Sequence, residues 1–375
     1  MKSTRRDFLS LLGAAALPWT GGSELIYPAA SGPVVQGDAR KIGYGIVGLG
    51  RISLGQFMPG VRISERSKLV ALVSGHRDKA ERVADQYGIS RRAIYSYQNY
   101  EEIAHNPEIE ALYIALPNGM HAEYTIRGAK AGKHILCEKP MANTVAECEQ
   151  MIAACRQAGR KLMIAYRCRL EPTNRRAIEL RKQGYVGTVQ TIHAAFGFNI
   201  KAGEWRLSKK MAGGGPMVDV GIYALQSCRY MSGEEPVEVS GISSTIDHDG
   251  RFKEVEENLV WTMRFPSGII TTCQTSYGAS LGNYFTVSGS KGWINVDPAF
   301  VYEGLHLRAN GNGAAIDQPT DDPSPHQFAR EADHFSNCIL ENHEPLTPGE
   351  EGLRDMRLIA LIYRSCQEGR AVKTA

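Results

Sequence analysis

From Lys41 to Ala165, short apolar runs alternate with amphipathic stretches, the pattern of buried parallel strands joined by helices. Ile42–Val47, Lys68–Ser74, Glu110–Leu116, Lys133–Cys137 and Lys161–Ala165 read as strands, the last counted as a sixth, with one strand of the count left unplaced. Arg77–Tyr87, His121–Ala131 and Val145–Ala158 read as intervening helices. This alternation predicts a doubly wound α/β sheet over 42–165. Beyond Tyr166 a crossover helix, Pro172–Gln183, leads to a different texture. Val189–Phe198, Val237–Thr245, Asn258–Phe265, Gly268–Tyr277, Phe285–Gly289 and Gly292–Val296 alternate apolar and polar residues between turn residues. With helices at Met217–Met231, Gln327–Asn342 and Glu350–Glu368, they predict an α+β domain over 166–375, built on a large open, mainly antiparallel sheet. The spare apolar face of such a sheet predicts a homodimer or homotetramer.

Composition adds exclusions. The 375 residues are 43% hydrophobic and 22% charged with a formal charge of +3, and no Lys/Arg block is present, so no nucleic-acid partner is expected. None of the eight cysteines forms a Cys-x-x-Cys or a zinc spacing with histidine, so no metal is expected; they read as small buried hydrophobes, with disulfides left open. The N-terminus begins with Lys2, Arg5-Arg6 and Phe8-Leu9 ahead of an apolar run to Trp19. This reads as a twin-arginine signal peptide over 1–30 and predicts export of the folded chain to the periplasm. The run is shorter than the ~20 residues a spanning helix needs, so no stable membrane anchor is expected.

The first strand ends in Gly48-Leu49-Gly50-Arg51-Ile52-Ser53. Gly48 permits a tight turn, Gly50 lets the backbone approach a pyrophosphate on a helix N-terminus, and Ser53 replaces the third glycine of the dinucleotide fingerprint. The second strand ends in Ser74-Gly75-His76-Arg77-Asp78-Lys79, without the acid that binds an NAD ribose. A hydroxyl beside Arg77 and Lys79 suits a 2′-phosphate, so NADP is the expected cofactor; the alternative has both cations decorating an exposed helix face. Leu116-Pro117-Asn118, His121 and Lys139 fall at carboxyl ends of strands, where such sheets bind ligands.

In the second domain, Gly213-Gly214-Gly215 bring the backbone close to something, and Asp219 and Tyr223 follow at an i, i+4 spacing. Hydride transfer from an alcohol carbon requires a group that takes the hydroxyl proton. Tyr223 can serve if an ammonium, naturally that of Lys139, lowers its pKa; otherwise Tyr223 is a core aromatic and Lys139 a surface charge.

Gly48-Leu49-Gly50, Leu116-Pro117-Asn118, Glu138-Lys139-Pro140 and Gly213-Gly214-Gly215 with Asp219 and Tyr223 together resemble the glucose–fructose oxidoreductase group of the Gfo/Idh/MocA sugar oxidoreductase family. The resemblance runs from Ile42 to Val372 and takes in Gly233-Glu234-Glu235-Pro236, Val255-Glu256 and Pro348-Gly349-Glu350-Glu351-Gly352. It implies a Rossmann domain holding NADP through Gly48, Leu49, Gly50, Arg51, Ile52, Ser74, Gly75, Arg77, Lys79, Leu116, Pro117, Asn118, His121, Glu138 and Lys139. His121 reads equally as a helix start. Arg167, Trp205, Arg206 and Tyr302 are implied beside the nicotinamide, and Tyr166, Arg167, Lys139, Asp219 and Tyr223 around a sugar. In the implied chemistry Lys139 polarises the reacting oxygen, Tyr223 is the acid/base and Asp219 orients the sugar, with Pro140 following a cis bond. Residues 31–41 are implied as an arm that packs on a neighbouring subunit. The implied reaction oxidises an aldose at C1 to a lactone and reduces a second sugar on the same tightly bound NADP. Its rivals are a dehydrogenase or 1,5-anhydrofructose-type reductase that exchanges NADP with solution, and a non-catalytic sensor.

Overall fold

The computed structural model describes residues 40–374, so the signal assigned to 1–30 and nearly all of the 31–41 arm lie outside the described residues. The first domain holds six strands, β1 (Ile42–Val47), β2 (Ser67–Val73), β3 (Ile94–Tyr95), β4 (Ala111–Ile114), β5 (His134–Glu138) and β6 (Leu162–Ala165), all parallel. Their order is β3-β2-β1-β4-β5-β6. The strand direction of progress reverses between β1 and β4, which opens a crevice at their carboxyl ends. Every residue of β1 is buried, the reason its sequence shows no polar alternation. The unplaced strand is β3, whose two residues are too few to carry a period. Helices α1 (Met58–Ile63), α2 (Arg77–Tyr87), α3 (His121–Lys130) and α4 (Val145–Gln157) flank the sheet; α4 starts at a capping box between Thr144 and Glu147.

The second domain comprises α5 (Pro172–Lys182), β7 (Val189–Gly197), α6 (Lys209–Ala212), α7 (Ile222–Ser232), β8 (Glu238–Ser244), β9 (Asn258–Arg264), β10 (Ile270–Ser276), β11 (Asn283–Gly289), β12 (Gly292–Val296), β13 (His306–Gly311) and β14 (Ala314–Pro319). It ends with α8 (Ser324–Leu340), α9 (Gly349–Glu368) and β15 (Val372–Lys373). The nine strands run β14-β13-β12-β11-β7-β10-β9-β8-β15. Only β7 and β10 pair in parallel. One face, with Trp261, Met263, Phe285 and Val287, is buried; the other exposes Ile242 (75%), Val260 (49%) and Trp293 (40%). The hairpin β13–β14 and the edge strand β15 were not foreseen. The hairpin turns at Asn312-Gly313, both with positive φ, the backbone that an Asn-Gly pair adopts readily.

The expected helix from Met217 is divided. A π-helical turn, Met217–Gly221, precedes α7, so Asp219 sits in a widened turn of the kind found at functional sites. The last two helices, counted from sequence with the second domain, also cover the first. Gly60 of α1 lies so close to α8 that a Cβ there would come within 2.8 Å of Phe328 Cβ, and Gly352 of α9 faces Ile164 and Met141 equally closely. Among the described residues no helix is long and apolar enough to cross a membrane, and no group of three or more His, Cys, Asp or Glu could hold a metal.

Candidate active site

Gly48 has a φ of 94° and lies against β4, where a Cβ would meet the Ala115 carbonyl oxygen at 2.6 Å. Only glycine fits both constraints. A Cβ at Gly50 would meet nothing, so a ligand has room over this residue. Ser53, in the place of a third glycine, donates its hydroxyl to the Gly48 carbonyl at 2.7 Å and fastens the turn from within. The chain becomes helical at Arg51 and passes through a π-helical turn, Ser53–Phe57, into α1, and the amides of such a first turn have no intrahelical acceptor. This cradle fits a pyrophosphate. Arg51 extends from it to Glu204 of the second domain at 2.7 Å.

At the end of β2, Ser74 lies behind Gly75 and its hydroxyl accepts from the His76 amide at 3.1 Å. Lys79, partly exposed in the first turn of α2, has no ion-pair partner among the described residues. Arg77 does not join it. Its guanidinium donates to Glu81 and to the carbonyls of Ile94 and Arg91, fastening α2 to the β3 segment. Of the three expected residues, Ser74 and Lys79 stand at the strand end without such a side-chain tie to the β3 segment, and no carboxylate ends the strand.

The reacting centre joins the two domains. Lys139 follows β5 and precedes a cis Pro140. Its Nζ donates to the Asp219 carbonyl at 2.6 Å and to Asp219 Oδ1 at 3.3 Å, leaving the third of an ammonium's three donors for a ligand. Asp219 Oδ2 accepts from Arg206 Nε at 2.9 Å and from the Tyr277 hydroxyl at 2.8 Å. Burial pushes the Asp219 pKa up, but Lys139 and Arg206 pull harder and hold it below its ordinary value. Asp219 therefore serves first to fix Lys139. Tyr277 and Glu204 escaped the sequence reading, and nothing local in the chain marks either.

Tyr223 lies below this ammonium, its ring centroid 4.9 Å from Lys139 Nζ and 5.2 Å from the Arg167 guanidinium. Its ring packs beside Phe300 and Phe196 at 5.7 and 5.8 Å. Burial raises the Tyr223 pKa well above its ordinary value, and Arg167, rather than Lys139, is the cation that chiefly opposes the rise. The expected depression by Lys139 is thus corrected: the ammonium faces the ring, and burial favours the neutral phenol. Arg167 donates to the carbonyls of Phe300 and Val301 and to Gln327 Oε1, which leaves its plane facing Tyr223 and, at 4.6 Å, Tyr302.

Several expected contacts have other partners. The buried His121 opens α3 with its two ring nitrogens 2.9 and 2.8 Å from the Pro140 and Leu116 carbonyls, between the loops that carry Lys139 and Pro117. Asn118, 5% exposed, gives its amide to the Ala212 carbonyl at 2.8 Å and ties the domains together. Glu138 accepts from the Tyr113 hydroxyl at 2.6 Å and from the Lys139 amide. Tyr166 is 2% exposed and stands by Asp355 and Tyr230 in the core, not at a sugar-accessible surface. The three glycines approach protein: Cβ atoms at Gly213, Gly214 and Gly215 would strike Asn143, Tyr363 and Glu256. Trp205 stacks under Arg206 at 4.7 Å beside the Asp219 cluster.

A family model described as an oxidoreductase family with an NAD-binding Rossmann fold matches residues 42–166, and one for the GFO/IDH/MocA C-terminal domain matches 174–295. The chain belongs to the GFO/IDH/MocA oxidoreductase family. Within it, the chain is 32% identical over 339 residues to a D-xylose 1-dehydrogenase [NADP(+)] from Haloarcula marismortui, covering 88% of this chain and 92% of that one. The crystal structure of aldose-aldose oxidoreductase from Caulobacter crescentus, complexed with glycerol, is 46% identical with a TM-score of 0.86, and the match covers 89% of this chain and 100% of that one. A 3-ketoreductase from Actinomadura kijaniata shares the fold at 21% identity and a TM-score of 0.77, over 87% of this chain and 98% of that one.

Proposed function

We propose that this family member is an NADP-dependent sugar oxidoreductase that oxidises an aldose at C1 to a lactone and reduces a second sugar, an aldose or fructose, to its alditol. The observation that carries the reading is the ammonium of Lys139, anchored on Asp219 and held 4.9 Å above the Tyr223 ring. The resemblance to the Caulobacter aldose-aldose oxidoreductase supports it. The Gly48–Ile52 turn would hold the pyrophosphate, Ser74 and Lys79 the 2′-phosphate, and Trp205, Arg206 and Tyr302 the neighbourhood of the nicotinamide. NADP, when bound there, would supply the acceptor and donor of the hydride exchanged with the sugar carbons. Lys139 gives its remaining N–H to the reacting oxygen and stabilises charge there. Tyr223 delivers a proton in the reducing half and receives one in the oxidising half. Its neutral form, which burial favours, suits delivery, and Arg167 lowers the cost of the reverse.

On this reading the cofactor stays bound and the two sugars alternate in a ping-pong cycle. The export pattern supports a periplasmic enzyme, where internal recycling removes the need for free NADP. The exposed apolar sheet face supports a homodimer or homotetramer. A second reading, a dehydrogenase that exchanges NADP with solution, is favoured by the D-xylose 1-dehydrogenase relatives. Purified protein given glucose and a second sugar without added nucleotide separates the two. Sustained, equal formation of aldonate and alditol supports internal recycling; turnover only after NADP⁺ is supplied supports exchange.

A further inference from the structure

Helix α7 carries Tyr223 near its start and Cys228 one and a half turns later. Cys228 faces the middle of β10, where its Sγ lies 3.4 Å from that of Cys273, and the two residues are 0% and 2% exposed. Among the described residues no other two cysteine sulfurs are in hydrogen-bond contact. We propose that Cys228 and Cys273 are a disulfide site, a covalent tie between α7 and the sheet beneath it.

A disulfide has an S–S bond of about 2.0 Å, so the sulfurs need to approach by about 1.4 Å. Neighbouring packing already holds the two elements close. A Cβ at Gly221, at the foot of α7, would meet Thr275 of β10 at 3.1 Å, and Cys273 is fixed between Ala194 and Trp261 in the sheet register. The oxidant is a small-molecule or protein disulfide. One cysteine thiolate attacks it, forms a mixed disulfide and releases the first thiol; the other cysteine then attacks the mixed disulfide and releases the second. Two S–H bonds are lost and one S–S bond forms, and the two electrons reduce the oxidant to two thiols. Both side chains are sealed in the folded protein, and burial pushes the Cys273 thiol well above its ordinary pKa. Exchange therefore needs the site to be uncovered, either while the chain folds or when α7 lifts locally from β10 in the folded protein.

The test compares full-length protein made in a reducing bacterial cytoplasm with protein made in one lacking its thiol-reducing systems. Each sample is denatured in acid, alkylated with N-ethylmaleimide and analysed by intact mass and peptide mapping. We expect all eight cysteines alkylated in the first sample, six in the second, and a peptide there linking Cys228 to Cys273. Cys148→Ala should still lose two thiols on oxidation, whereas Cys273→Ala should lose none. Eight alkylated cysteines in both samples, or a linkage between any other pair, overturns the proposal. The peptide map of the unaltered chain decides the matter even if a variant fails to fold.

Discussion

Replacing Asp219 by Asn keeps the shape of the side chain and removes the one anion shared by Lys139 and Arg206. The side chains of Lys139 and Asp219 are 13% and 14% exposed, so water does little to compensate. Breaking a buried ion pair on one side costs about 3–5 kcal/mol, and the 31% exposure of Arg206 places this case near about 3 kcal/mol. In folding terms that is the expected loss, read as a lower midpoint in denaturant with an unchanged slope. In catalysis Lys139 keeps only the Asp219 carbonyl, and a reacting group misplaced by ~1 Å loses about 100-fold in rate. The assay is steady-state formation of aldonate and alditol from glucose and a second sugar, with nucleotide affinity measured separately by fluorescence. We expect kcat to fall about 100-fold while the dissociation constant for NADP moves less than about threefold, since Asp219 lies away from the Gly48 turn. A kcat within threefold of the parent would refute the claim that Asp219 positions Lys139.

Tyr223→Phe should lower turnover by about 100- to 10,000-fold with NADP still bound, and retained activity would remove Tyr223 from the acid/base role. Lys79→Ala should weaken NADP binding by about tenfold, the worth of about 1.4 kcal/mol at this partly exposed position, and leave NAD binding unchanged; equal losses for both nucleotides would remove the 2′-phosphate assignment. His134 accepts a hydrogen bond from the Lys161 amide, and burial lowers its pKa from 6.5 to about 4. Because the folded value lies below the unfolded one, its stabilisation is present above pH 6.5 and is lost as the pH falls toward 4. The shift amounts to about 2 kcal/mol after solvent screening, so stability of His134→Gln should vary less across that window; an unchanged acid limb would contradict this. Val260→Asp, on the exposed sheet face, should shift light-scattering mass toward the monomer, and no shift would move the subunit contact elsewhere.

The fold was legible where the chain repeats a physical pattern. Five of the Rossmann strands are apolar runs long enough to read, whereas Ile94–Tyr95 owes its place to pairing with β2. The β13–β14 hairpin had a local signal in Asn312-Gly313, but Leu307 and Ala309 are the only apolar residues alternating inward in β13, too sparse a pattern to mark a strand. At the site, Lys139, Asp219 and Tyr223 were readable from motifs, and the structure brings all three together. Tyr277 was not, because its bond to Asp219 joins residues 58 apart. Arg77 and Asn118 each have partners that the sequence did not show. Each has polar donors of the right type, but backbone carbonyls supplied by the fold accept them first. The direction in which a side chain leaves the backbone also decided Tyr166, whose neighbour Arg167 faces Tyr223 while Tyr166 itself faces the core.

Lys139 belongs to one domain and the carboxylate that holds it to the other, and the same seam is crossed by Arg51–Glu204, Asn118–Ala212 and Asn143–Lys210. A hinge motion that parted the domains would strip the lysine of its counter-ion in the same movement that uncovered the crevice. Opening and disarming would be one event in such a motion. The seam would then act as a safety catch on a reactive centre, since water entering an opened crevice would meet a lysine no longer aimed.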